Sequence, residues 1–311
     1  MVDNSRTLHI INGDSVLTSL IHLNLNGKKF VWREMLCEGP TEIHLNTSSF
    51  KEVRKAFLSK YYHIPPSEYE DKFISQFSIL ENNQYSEINL WFEYDLFCHM
   101  NMLAAIQLLS DLEFDIPIYL ICSGRIKGEN KLKGLAELTS EEVKQEYENR
   151  ILLTKDDIEL ALHIWTLYNE KNPKKIVPLL SKDSNFKYLS SCLRAHLERF
   201  PNATTGLNVL EENLLNLINN YHITSAHQWL GYSLQYQGYY GYGDLQMQKL
   251  IDKLSNFTVY TKDRLILNEK GMSIINNEEN FYREMKDNMV FGGAYKYDFL
   301  YNKDSHKLLK L

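Results

Sequence analysis

Polar and reactive side chains follow four apolar runs of the sequence, at positions where they could bind or transform a small molecule. These residues are Asn12, Gly13, Asp14 and Ser15 after the first run, Trp32, Arg33 and Glu34 after the second, Trp91, Glu93, Asp95 and Asn101 around the third, and Ser123 and Arg125 after the fourth. Carboxylates can transfer protons or bind hydroxyl and amine groups, and arginine suits phosphate. We therefore predict that these residues form one ligand site. The alternative is that they are ordinary helix caps and ion pairs, since buried charges are usually paired.

Two kinds of chemistry fit this set of residues. In the first, Glu34, Glu93 and Asp95 hold Mg²⁺ while Arg33 or Arg125 holds a phosphate, as a hydrolase or transferase requires. With Asp14, these three acids are the candidate catalytic residues. In the second, the amides after Gly13 and the following helix N-terminus bind a ligand without any reaction. Asp14 at this turn disfavours a phosphate on the loop and favours a ribose hydroxyl or an amine.

Ser15 is a weaker candidate, although Gly-Asp-Ser after a first strand is similar to the start of GDS-type esterases. A serine nucleophile needs a histidine base, and the nearest arrangement, Asp304-Ser305-His306, has the wrong spacing. We interpret Asp14 and Ser15 as a helix cap that also faces the site. The four cysteines lack metal-ligand spacing, so we predict reduced thiols and no zinc site.

Strand-like and helix-like segments alternate over the first part of the chain. Strands are predicted at 7–12, 28–34, 86–92 and 116–123, and helices at 14–23, 48–63, 65–80 and 95–112. This alternation predicts a small, doubly wound, mostly parallel sheet of Rossmann-like type over residues 1–130. The carboxyl ends of parallel strands meet at one edge, so the polar residues that follow them should lie close together.

The next segment, 131–205, lacks strand-like runs and predicts a helical connector or layer. Helices are expected over 139–153, 154–170 and 185–201, and Thr154 with Asp157 resembles a capping box. His196 and Arg199 share a helix face, and we expect them to belong to a surface charge network.

The last segment, 206–311, predicts three helices followed by a β-hairpin, which is the order of a winged helix. The helices are expected at 207–220, 225–237 and 244–255, and a second hairpin is expected in the tail. A plain three-helix bundle with a hairpin is the alternative. Between residues 206 and 275 the chain has five basic and six acidic side chains, so it is a poor DNA reader by charge. The tyrosine-rich stretch 236–244 is expected to pack on the first domain, and a stacking platform for a base is the alternative.

The net charge and the apolar runs of the sequence limit the classes of function that we expect. The net charge is −6 and the isoelectric point is near 6.0, which gives no general attraction to nucleic acid or to anionic membrane. No apolar run could span a bilayer and the N-terminus lacks a signal pattern, so we expect a cytoplasmic protein without membrane contact. The leading hypothesis is a binder of a nucleotide or other phosphorylated compound. The alternative is a ligand-sensing regulator whose C-terminal region binds DNA or protein.

Several long motifs resemble one bacterial family. "LHIINGDSVLTSL", "VWREMLCEGP", "LWFEYDLFCHMNML", "LSSCLRAHLERFP", "GYGDLQMQKLIDKL" and "GGAYKYDFLYNK" are similar to proteins grouped as domain of unknown function 1835. The resemblance covers nearly the whole chain. It implies a winged-helix-like C-terminal region. There, Tyr242-Gly243-Asp244 corresponds to a Leu-Gly-Asp sequence in other branches of this family. It implies no activity, because the family has none assigned.

Overall fold

The computed structural model describes residues 6–81, 84–126 and 131–311. Its first six strands are β1 (Thr7–Asn12), β2 (Lys28–Trp32), β3 (Gly39–Pro40), β4 (Glu87–Phe92), β5 (Ile118–Cys122) and β6 (Ile151–Leu152). All of these except β3 form a five-stranded sheet with the order β2-β1-β4-β5-β6. The first four members of the sheet are parallel and β6 is antiparallel to β5. The predicted mixed α/β class and its four parallel strands are confirmed.

Alternation along the strands gives the sheet two apolar faces. Leu8 and Ile10 of β1 point into the larger core, and Ile11 points into a smaller core on the other face. Helices therefore cover both faces, as a largely parallel sheet requires. The helices in this part of the chain are α1 (Asp14–His22), α2 (Ser48–Tyr62), α3 (Pro66–Lys72), α4 (Leu96–Asp111) and α5 (Ser140–Glu148). The predicted helix 65–80 begins at Pro66 and continues after Lys72 as a 3-10 helix, Ile74–Ile79.

Helix α4 is the central element of the fold. It is apolar on all sides, and its residues from Cys98 to Leu109 are buried. One side lies against β1 and β4, and the other lies against α6 (Lys155–Tyr168) and α7 (Leu189–Glu198). The N-terminus of α4, which holds Asp95 as its cap, is thereby fixed at the carboxyl edge of the sheet.

The middle segment departs from the sequence prediction in two places. Helix α5 ends at Glu148, and Ile151–Leu152 forms an edge strand instead of continuing a helix. His196 and Arg199 are buried and not on the surface, since each is only 1% exposed. Arg199 donates from Nη1 to the carbonyl of Cys37 at 2.5 Å, so the predicted surface network is wrong and the pair anchors a buried loop. The predicted capping box at Thr154 is confirmed.

The C-terminal segment contains the predicted helices and both predicted hairpins. Its helices are α8 (Val209–Asn220), α9 (Ala226–Tyr236), α10 (Asp244–Leu254), α11 (Glu269–Ile275) and α12 (Tyr282–Met285). Its strands are β7 (Thr258–Tyr260), β8 (Leu265–Leu267), β9 (Val290–Gly292), β10 (Ala294–Tyr295), β11 (Phe299–Asn302) and β12 (Lys307–Lys310). Strands β7 and β8 pair antiparallel, as do β11 and β12. Strand β9 pairs with β3, which joins the tail to the N-terminal part. Within the described residues, no helix has the length and apolar character needed to cross a membrane.

Candidate functional site

A pocket of about 450 Å³ opens at the carboxyl ends of β1, β2 and β4. It has the size expected of a small-molecule site. Nine of the predicted site residues line it: Asn12, Gly13, Asp14, Ser15, Trp32, Arg33, Glu34, Glu93 and Asp95. Helices α2 and α3 add apolar and charged walls, and Gly241 and Gly243 close the pocket from the segment before α10. The topology therefore brings most of the predicted residues together.

Trp91 lies on the opposite face of the sheet from the pocket. Successive strand residues point to opposite faces, so Trp91 shares the smaller core with Ile11. Its Nε1 donates to Nδ1 of His9 at 3.0 Å, and its ring stacks on Tyr147 at 5.5 Å between centroids. Trp91 supports the sheet and does not line the pocket.

Asn101 lies beneath the pocket and joins two of the strand ends. Its Nδ2 donates to Oδ1 of Asn12 at 2.9 Å and to the carbonyl of Glu34 at 2.7 Å. Its Oδ1 accepts from the amide of Leu36 at 3.0 Å. Asn101 therefore fixes the ends of β1 and β2 relative to each other, without being among the lining residues.

The end of β5 does not contribute to the pocket wall. Ser123 is 1% exposed, and its hydroxyl has no hydrogen-bond partner among the described residues. Arg125 is exposed, and its backbone amide donates to the hydroxyl of Tyr188 at 2.7 Å. Three strand ends form the site, where the sequence predicted four.

Asp14 and Arg33 form an ion pair at the pocket rim. The guanidinium donates from Nε and Nη2 to the two carboxylate oxygens at 2.9 and 2.7 Å, and from Nη1 to the carbonyl of Lys72 at 3.0 Å. The hydrogen bonds from Arg33 lower the pKa of Asp14. The predicted capping role is wrong: Gly13 occupies the N-cap of α1 without a side-chain cap, and the Asp14 carboxylate is held by Arg33.

Glu34 is held in a fully buried ion pair with Arg54, a residue that the sequence analysis missed. Arg54 donates from Nε to Oε1 at 2.7 Å and from Nη2 to Oε2 at 2.8 Å, and both side chains are 0% exposed. Tyr69 donates its hydroxyl to the same carboxylate at 3.1 Å. The available signal was the position of Arg54 on the apolar face of the predicted helix, four residues after Phe50. Both oxygens of Glu34 are occupied by these partners.

Half-buried Glu93 and buried Asp95 line the pocket without a cationic partner among the described residues. Asp95 caps α4 by accepting from the amide of Cys98 at 2.8 Å, and Glu93 accepts from the amide of Ala136 at 3.4 Å. Burial, followed by the charge of Asp95, raises the pKa of Glu93 to about 7. Burial also raises the pKa of Asp95 to about 6. The pair can thus hold a proton close to neutral pH.

Two glycines from distant segments cover these acids. A Cβ at Gly134 would lie 2.7 Å from Oε1 of Glu93, and a Cβ at Gly241 would lie 2.1 Å from Cγ of Asp95. Gly241 also has a φ of +68°, which favours glycine. The backbone carbonyl of Tyr239 accepts from the amide of Leu96 at 2.7 Å. The predicted packing of the tyrosine-rich loop on the first domain is confirmed, and this loop closes the site.

A cation could be held at the same place by oxygen atoms. Ligand atoms of Glu93, Asp95 and Cys98 lie within 4.8 Å of one another. Burial raises the pKa of the Cys98 thiol well above its usual value, and Asn12 donates from Nδ2 to its sulfur at 3.0 Å. A protonated thiol is a poor metal ligand, so the two carboxylates are the groups that fit Mg²⁺.

Comparisons with known proteins do not identify a family. No protein-family model matches the chain, and no curated protein matches it. Among solved structures, the DNA-binding, cleavage and re-ligation domain of Plasmodium falciparum topoisomerase II aligns with 81% of this chain at 14% identity and a TM-score of 0.47. The alignment spans 42% of that structure's length. This likeness carries no argument about function.

Proposed function

We propose that the protein binds a small molecule in the pocket at the ends of β1, β2 and β4, and that Glu93 and Asp95 hold a hydrogen-bond donor of that ligand. The supporting observation is the imbalance of charge in the pocket. Its two lining cations are already paired, Arg33 with Asp14 and Lys72 with Glu68 at 2.6 Å. Glu93 and Asp95 have no such partner among the described residues. A ligand that supplies donors would compensate one half-buried and one buried carboxyl group.

This charge pattern narrows the ligand class within the nucleotide hypothesis. A ribose hydroxyl or an amino group on a base suits the carboxyl pair. A phosphate does not suit that end of the pocket unless Mg²⁺ bridges it to the carboxylates. A carboxyl group with a pKa of about 7, as for Glu93, is also well placed to act as a general base at neutral pH. The proposed activity is therefore binding, with hydrolase or transferase chemistry at Glu93.

Four of the six motifs that resemble the family of domain of unknown function 1835 line this pocket. The motifs at 8–20, 31–40, 90–103 and 241–254 each contribute lining residues. We propose membership of that family on these motifs. Their convergence on one pocket supports the choice of this site.

The test is a thermal-shift screen of nucleosides and nucleotides with and without Mg²⁺, followed by calorimetry on each hit. We expect at least one nucleoside or nucleotide to raise the melting temperature, and Glu93→Gln to weaken its binding by about tenfold or more. Asp95→Asn removes the charge of Asp95 while keeping a residue that caps helices well. Glu141→Gln, at an exposed position of α5, is the matched control. A binding constant unchanged in both site variants would overturn the proposal.

We also infer a winged-helix-like arrangement for residues 206–275, supported by the order of α8, α9, α10 and the β7–β8 hairpin. The exposed fractions of Val259 (46%) and Tyr260 (55%) on β7 favour a protein partner for this region. The near balance of charge disfavours DNA. Salt-dependent binding of duplex DNA at physiological ionic strength would support the DNA-binding regulator instead, and its absence removes that version.

A further inference from the structure

A second cavity, of about 270 Å³, lies beside the first pocket. The same segments of the chain wall both spaces. In α2 and the residues after it, Leu58 and Ile64 line the first pocket while Tyr61 and Tyr62 line the second. Before and within α10, Gly241 lines the first and Gln246 the second. The two spaces have no lining residue in common, so the second cavity is a separate space with its own chemistry.

One wall of this cavity carries a buried carboxylate without a cationic partner. Glu38 is 6% exposed and lies in the loop that follows β2. Its Oε2 accepts from the hydroxyl of Tyr62 and from Nε2 of Gln246, the latter at 3.1 Å. Among the described residues, no lysine, arginine or histidine forms an ion pair with Glu38. A buried carboxylate that has only neutral donors can still accept a cation.

An ammonium group without a carboxylate partner faces the same cavity. Nζ of Lys249 lies 5.3 Å from the ring centroid of Tyr62 and 5.6 Å from that of Tyr61. No described acidic residue forms an ion pair with it. The other two lysines of the wall are already paired, Lys253 with Asp287 at 2.5 Å and Lys296 with Glu211 at 2.8 Å.

The remaining acid of the wall lies at the rim. Asp252 is exposed on α10 and accepts a hydrogen bond from Gln248 at 2.7 Å. Lys249 is exposed at the same rim, one turn before Asp252. The charges of this wall that have no ion-pair partner within the described part of the chain are thus the buried carboxylate of Glu38 and, at the mouth of the cavity, Lys249 and Asp252.

We propose that this cavity binds a small zwitterion of the α-amino acid class. The ammonium group of the ligand would lie on Glu38, and its carboxylate would lie on Lys249. Its side chain would contact the rings of Tyr61 and Phe291, which also line the cavity. The volume of about 270 Å³ lies just below the usual range for ligand pockets, about 300–1,000 Å³, which limits the ligand to a molecule as small as an amino acid.

Calorimetry of the full chain with the twenty proteinogenic L-amino acids tests the proposal. We expect at least one to bind, and we expect its N-acetyl and carboxamide derivatives, each lacking one charge, to bind at least about tenfold more weakly. Lys249→Met and Glu38→Gln should each cause a similar loss. Lys262→Met, at an exposed position in the β7–β8 turn, is the matched control and should bind normally.

Three results would overturn this site: no amino acid binds, a derivative lacking one charge binds equally well, or Lys249→Met binds as the wild type does. Lys249 is exposed, so Lys249→Met is expected to fold and to test the site even if Glu38→Gln fails to fold. The site is independent of the proposed function, because Glu93→Gln should leave amino acid binding intact.

Discussion

Replacing Glu93 with glutamine should stabilise the protein at pH 8 and leave its stability almost unchanged near pH 4. Burial, reinforced by the charge of Asp95, raises the pKa of Glu93 from 4.5 to about 7 in the folded state. Between pH 4.5 and about 7 the folded protein retains a proton on Glu93 that the unfolded chain has released. The free energy of unfolding therefore falls as the pH rises through this window. Glutamine keeps the shape of the side chain and never ionises, so it avoids this loss.

The size of the effect follows from the difference in pKa. At about 1.36 kcal/mol per pKa unit, a rise from 4.5 to about 7 corresponds to roughly 3 kcal/mol at any pH well above 7. Asp95 ionises with a pKa of about 6 in the same space, so the two carboxyl groups titrate as a coupled pair. The repulsion from Asp95 is already part of the raised pKa of Glu93 and adds nothing further, so we expect Glu93→Gln to gain about 2–3 kcal/mol at pH 8.

Urea unfolding, followed by tryptophan fluorescence, measures this directly. The wild type and Glu93→Gln are compared at pH 4, 6 and 8, and the difference in midpoint is converted with a common slope. Glu279→Gln, at an exposed position outside the helices and strands, is the control and should change the free energy of unfolding by less than about 0.5 kcal/mol. If Glu93→Gln were no more stable than the wild type at pH 8, the carboxyl group would be solvated or paired. The proposed buried acid pair would then be wrong.

Two further changes test the walls of the same pocket. Arg54→Met should lower the free energy of unfolding by about 3–5 kcal/mol, because it leaves Glu34 buried without its partner, and adding Glu34→Gln should recover part of the loss. A urea titration showing a loss below about 1 kcal/mol would contradict the ion pair. Gly241→Ala should destabilise the protein by more than about 1 kcal/mol, since its Cβ would meet Asp95 and φ is positive. Gly231 lies within α9, and its added Cβ would have no atom within 4 Å. Gly231→Ala should therefore be neutral or stabilising in the same urea titration.

The elements that the sequence predicted well are those fixed by local patterns. Strands 7–12 and 86–92 are recognisable because each is a short apolar run next to turn residues, and the structure has them at Thr7–Asn12 and Glu87–Phe92. The capping box at Thr154 is equally local, since its two partners are three residues apart. Strand Ile151–Leu152 has only two residues with exposed side chains, so no periodicity could reveal it.

The parts that the sequence could not predict depend on contacts between distant segments. Arg54 reaches Glu34 across 20 residues of sequence, and Arg199 reaches the carbonyl of Cys37 across 162. A polar residue on a helix can equally well face solvent, and only the packed fold decides between the two. The same limit applied to Asp14, whose carboxylate could have capped α1 and instead pairs with Arg33.

The chemical character of the candidate site also arises at long range. The sequence places Glu93 and Asp95 at the end of a strand, but Gly134 and Gly241 provide the cover that removes them from water. Burial is the largest cause of both raised pKa values. A ligand that brings a cation or strong donors to the pair favours its ionised form, so binding between pH 5 and 7 must release protons. A ligand that only displaced the covering loops would also admit water and release protons. Glu93→Gln separates the two, because recognition by the acids predicts binding about tenfold weaker, whereas simple opening of the site predicts unchanged affinity.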